Sequence, residues 1–217
     1  MPLDVAPQAS NRLAVIDSDI HPAIKSLDCL RPYLSSQWWE YANTYGFRRK
    51  HGSATVEPYP KSAPLASRRD AWPAEGGRPG SSLELMQKQY LDPAGVELGV
   101  LGPLGPTGQG DLNLEFSAVM CRATNEWQRD VWTSKDKRLK AGIVVPYEDG
   151  IASAAEIERV GAMSDYGQVF CLTRSSEPLG NRRYWPIYAA AERYNLPVAF
   201  HVFGTSGHPV SGAGWPS

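Results

Sequence analysis

Apolar positions along the chain fall into short runs separated by longer stretches with helical periodicity. The first run, residues 13–20 (LAVIDSDI), changes from continuous apolar residues to alternating acidic and apolar ones. It ends at His21-Pro22, where proline stops a strand. Farther along, 95–101 (GVELGVL) predicts a second strand, and 113–132 (NLEFSAVMCRATNEWQRDVW) an amphipathic helix capped by Asp111 or Asn113. The cycle then repeats: strand 140–145, helix 151–163, strand 168–172, helix 183–194 and strand 197–202. Asn195-Leu196-Pro197 marks the last boundary, because proline is tolerated at a first strand position but not within a helix.

Between the first two strands, residues 26–94, the pattern loosens. The aromatic cluster QWWEYANTYG is followed by Pro58, Pro60, Pro64, Pro73, Pro79, Gly76, Gly77 and Gly80. A structureless loop of that length is unusual inside a compact domain, so the segment reads as an insertion that folds over the surface, with a lid over a site as the expected role. The whole chain, 1–217, is read as one domain.

Nearly all-apolar strands alternating with amphipathic helices imply an α/β protein, a parallel sheet covered by helices. Right-handed crossovers leave either a doubly wound sheet or a closed barrel. A nucleotide-binding version of the former needs a glycine-rich phosphate loop after the first strand, and His21-Pro22-Ala23-Ile24 contains no glycine.

Chemistry concentrates at Asp17-Ser18-Asp19-Ile20-His21. Three ionisable residues at every second position point to one side of a regular strand, and burying them there is costly unless a cation or hydrogen bonds compensate. The plain alternative has Asp17 and Asp19 capping the next turn while His21 bonds a backbone carbonyl. His201 shifts the balance, because it too closes an apolar strand, at the edge of a parallel barrel where catalytic groups gather. Asp19, His21 and His201 are therefore the candidate metal ligands.

Composition narrows the partners. With 22 Lys plus Arg against 23 Asp plus Glu, the net charge of −1 offers no field to draw nucleic acid or anionic lipid, and a small-molecule substrate is expected. Three separated cysteines without C-x-x-C spacing argue against a disulfide framework or a cysteine-only zinc site. No leader-like segment or long apolar run occurs, so the expected location is cytoplasmic.

VIDSDIHP at the start, RYWPIYAAAERYNLP in the last helix and the following VAFH resemble the amidohydrolase-2 group of the amidohydrolase superfamily, which includes carboxymuconate-semialdehyde and resorcylate-type decarboxylases. That resemblance implies a TIM-type (β/α)8 barrel holding one divalent metal. Zinc is the first expectation, and an acid at Asp19 opens the way to manganese. It implies metal-dependent hydrolysis or decarboxylation of a small carboxylate-bearing or cyclic organic substrate, with Asp19, His21 and His201 as ligands.

It also implies a further histidine and aspartate on later strands, which are expected to lie beyond the chain end. Only 14 residues follow Phe203, whereas each βα unit takes about 30. The expectation is an incomplete barrel of about five strands with a long insertion after strand one, its open edges favouring a homo-oligomer. The competing reading is a non-catalytic or truncated remnant. His208 is a weak substitute for the absent histidine, Trp215 a candidate wall of the substrate pocket, and Arg48, Arg49, Arg68, Arg69 and Arg122 the candidates for gripping a carboxylate.

Overall fold

The computed structural model describes residues 13–46, 67–103, 105–173 and 175–201. Among them five strands form one parallel sheet in the order β1 (Val15–Ile20), β2 (Val96–Leu101), β3 (Leu139–Val144), β4 (Tyr166–Leu172) and β5 (Val198–His201). Every predicted strand is present, with ends moved by one or two residues. A doubly wound sheet would reverse direction at a switch point. Here each strand simply adds beside the last, the order of a barrel wall.

The wall curls. In a flat sheet, strand spacing of about 4.8 Å would hold β1 and β5 about 19 Å apart. Ligand atoms of Asp19 and His21, at the end of β1, nevertheless lie within 4.8 Å of one on His201 of β5. The fold is thus an incomplete (β/α)8 barrel. Its outer strands leave Ile16 at 70% and Phe200 at 42% exposure.

Among the described residues five helices carry the covering layer: α1 (Ser36–Tyr45), α2 (83–94), α3 (Leu114–Gln128), α4 (Gly150–Val160) and α5 (Trp185–Arg193). Asn113 caps α3 by accepting from Phe116 N–H at 3.1 Å, and Asp111 accepts from Asn113 N–H at 2.9 Å, which settles the choice between them. Asp149 starts α4 by accepting from Ile151 and Ala152 N–H.

Two apolar cores result. One joins β3 and β4 to α4 and α5 through Ile143, Phe170, Ile157 and Ile187; the other joins β1 and β2 to α3 through Ile20, Leu101, Phe116 and Met120. The second core also takes Leu30, Ala42 and Leu91 from segment 26–94, two of them fully buried. The described parts of that segment therefore include helices packed into the body. The abundance of proline and glycine hid them, although Ser35 and Ser82 cap α1 and α2 by accepting from Trp38 and Leu85 N–H. Among the described residues no helix is long and apolar enough to cross a membrane.

Candidate metal centre

The C-terminal ends of β1 and β5 meet at three side chains. His21 Nε2 stands 3.6 Å from Asp19 Oδ1, and His201 Nε2 stands 3.7 Å from the same oxygen. The two imidazoles meet edge to face, with centroids 4.8 Å apart. Both oxygen-to-nitrogen separations are too long for a hydrogen bond. They do suit a shared ion: bonds of about 2.1 Å at tetrahedral angles place neighbouring donor atoms about 3.4 Å apart. One carboxylate and two imidazoles form a donor set compatible with zinc or manganese.

Backbone geometry prepares His21 for that task. Its Nδ1 lies 2.7 Å from the carbonyl oxygen of Gly102. A carbonyl can only accept, so Nδ1 carries a proton and donates it, and Nε2 is the nitrogen that faces Asp19. Behind the strand end, Gly80 adopts φ +79°, and a Cβ there would lie 2.7 Å from the His21 carbonyl oxygen. Ala23 N–H donates to Gly80 at 2.9 Å, so segment 26–94 braces the turn that carries His21.

Accessibility is graded across the site. Side-chain exposure falls from 57% at Asp19 to 34% at His21 and 19% at His201, so the cluster opens toward solvent on the carboxylate side. An ion held there would be reachable from that side.

Asp17 stands apart from the cluster, against the expectation that strand alternation aligns it with Asp19 and His21. Between Asp17 and Ile20 the chain spends three residues while β2 advances two, from Gly99 to Leu101. That bulge breaks the alternation. Asp17 instead accepts from Asp19 N–H at 3.0 Å and from the Tyr90 hydroxyl. The hydrogen bond to Asp17, aided by burial, pushes the Tyr90 phenol up to about 12.

Of the other residues singled out by sequence, Arg68 is exposed and paired with Asp70, while Arg69 and Arg122 are exposed. Arg48, Arg49, His208 and Trp215 lie outside the described residues. Sequence reasoning missed Gly102, Gly80 and Tyr90. Only the position of Gly102, immediately after an apolar strand, hinted at a role.

No curated protein matches the chain in sequence. Solved structures do match in fold. The 5-carboxyvanillate decarboxylase of Novosphingobium aromaticivorans, with bound manganese, superposes with a TM-score of 0.58 at 15% identity, over 87% of this chain and 50% of that one. The 2,6-dihydroxybenzoate decarboxylase of Rhizobium gives 0.56 at 14%, over 87% and 50%. A dihydroxybenzoic acid decarboxylase of a Polaromonas species, with manganese and 2-nitroresorcinol, gives 0.56 at 13%, over 91% and 51%. The chain thus spans about half the length of these structures. The amidohydrolase family profile matches residues 16–213, a span containing all three candidate ligands, and the chain belongs to that family.

Proposed function

We propose that Asp19, His21 and His201 hold one divalent metal ion, zinc or manganese, in a hydrolase or decarboxylase acting on a small carboxylate-bearing or cyclic organic substrate. The observation that carries this reading is the convergence of three donor atoms from opposite edges of the sheet to within 4.8 Å. Family membership supports the metal dependence. The decarboxylases among the fold relatives, two of them with manganese in their structures, favour testing the carboxy-lyase branch first.

When bound, the ion supplies Lewis acidity, polarising a substrate oxygen or a water molecule. The chain's own residues prepare the place. The Gly102 carbonyl engages Nδ1 of His21, so Nε2 is the ring nitrogen left to face the ion. Asp19 contributes the negative charge that two neutral imidazoles lack, and its exposure leaves the approach open on that side. Asp17 fixes the backbone of Asp19 through its N–H.

The test is direct. Protein stripped with a chelator and dialysed against Zn2+ or Mn2+ should retain about one ion per chain by elemental analysis. The loaded protein should then release CO2 from hydroxybenzoates or hydrolyse small cyclic amides and esters. Absence of stoichiometric metal rejects the site. Metal without either activity favours the second reading, a chain that holds the ion without catalysing a reaction. Exposed Ile16 and Phe200 on the outer strands support self-association, which light scattering at increasing concentration checks.

A further inference from the structure

We infer that Gly102 is a positioning residue: the absence of a side chain there lets β1 and β5 present their histidines to one ion. This rests on the metal site proposed above and adds a determinant that is not itself a ligand.

Both polar backbone groups of Gly102 serve β1. Its N–H donates to the Ile20 carbonyl at 2.8 Å, and its carbonyl accepts from His21 Nδ1 at 2.7 Å. Its Cα faces the other side of the site. A Cβ at 102 would lie 2.6 Å from Phe170 Cε2 and 2.9 Å from Cζ, closer than real Cβ contacts come. The ring of Phe170 lies in turn against His201, with centroids 5.8 Å apart and planes tilted by 40°. Gly102 thus bonds His21 directly and is linked to His201 through the Phe170 ring.

Phe170 has little room to withdraw. It is 1% exposed, its carbonyl accepts from Gln109 Nε2 at 2.8 Å, and Gly142 packs closely against its Cβ. Gln109 Nε2 also donates to Val145 at 3.2 Å, which ties the ends of β3 and β4 together. A methyl group at 102 therefore has two outlets. It can push Gly102 away and carry the acceptor of His21 with it, or drive the Phe170 ring toward His201. Each changes the spacing of the two ligand nitrogens. The backbone adds no strain of its own, because Gly102 is not among the glycines with positive φ.

The experiment titrates Mn2+ calorimetrically into chelator-stripped wild type, Gly102→Ala, Phe170→Leu and the double variant. Circular dichroism reports the fold, and the visible spectrum of Co2+-loaded protein reports ligand geometry. Gly102→Ala should bind Mn2+ about 10- to 100-fold more weakly, the range for losing a group that orients a ligand. It should also shift the Co2+ bands. Phe170→Leu replaces the ring that the methyl meets, so the double variant should return to within about twofold of Phe170→Leu alone, roughly the size of an uncoupled pair's residual.

A folded Gly102→Ala with wild-type affinity overturns the proposal, as does a double variant no tighter than Gly102→Ala. If Gly102→Ala fails to fold, the double variant against Phe170→Leu decides: equal affinity supports the positioning role, and a tenfold deficit sinks it. Wild type that binds no metal, or His201→Ala that keeps it, rejects the site itself. Wild type and Gly102→Ala binding alike, with His201→Ala empty, reject only this inference.

Discussion

The two ends of the sheet handle polar groups in opposite ways. Below β3, Asp136 accepts from Arg138 through Nε at 3.0 Å and Nη2 at 2.6 Å, and from Gln87 of α2 at 3.0 Å. Arg138 reaches on to Asp92 at 2.8 Å. Donors meet acceptors there, and the bonds pin α2 to the start of β3. At the C-terminal end, Asp19, His21 and His201 instead face one another at separations beyond hydrogen-bond length. The first end spends its polarity on holding the fold; the second keeps donor atoms aimed at a common point. In a parallel barrel that division separates stability from chemistry.

The largest expected effect breaks the chemical end. His201→Ala and Asp19→Ala should each lower retained metal from about one ion per chain to near none after dialysis, with an unchanged circular dichroism spectrum. Elemental analysis reads the result, and stoichiometric metal in both variants would falsify the ligand assignment.

At the other end, Asp136→Asn should cost about 2 kcal/mol of stability in urea denaturation, because a nearly buried carboxylate loses its charge-assisted bonds. Metal stoichiometry should stay at the wild-type value. A parallel loss of metal would dissolve the contrast between the two ends.

Acid titration sharpens the same point. The hydrogen bonds from Arg138 hold Asp136 down to about 2, below the ordinary value of 3.8. A lowered folded-state value means that its stabilising contribution is complete above the ordinary value and disappears as the pH falls toward about 2. Wild type should therefore lose stability more steeply than Asp136→Asn across that interval, measured as unfolding free energy against pH. Parallel curves would show that Asp136 does not contribute.

Tyr90→Phe should have the smallest effect, under about 1 kcal/mol in the same denaturation assay, since the bond it removes is partly exposed. Asp17 retains its bond from Asp19 N–H, so metal affinity should change by less than about threefold by calorimetry. A larger loss would make the Tyr90–Asp17 pair part of the metal centre.

Much of this contrast was legible in the sequence, but unevenly. Apolar runs located all five strands, and the residues closing β1 and β5 were the ones that meet. Segment 26–94 was not legible, because its glycines and prolines obscured helices whose burial depends on Leu30 and Leu91 reaching a distant core. Asp17 was misplaced because strand alternation cannot foresee a bulge. The plain reading of His21, a ring that bonds a backbone carbonyl, does not compete with the proposed ligand role. Nδ1 bonds a backbone carbonyl, as an ordinary strand-end histidine would, and this leaves Nε2 facing Asp19.

The sequence by itself determined the alternation of strand and helix, the caps that start the helices, and the kinds of donor atom at the two strand ends. These follow from side-chain periodicity and chemistry within a few neighbouring residues. Only the tertiary structure decided that Asp19 and His201 meet, that Asp17 turns to Tyr90, and that Gly102 bonds His21 while leaving no room for a side chain beside Phe170. Those outcomes depend on sheet curvature and register accumulated across five strands, which no local pattern specifies.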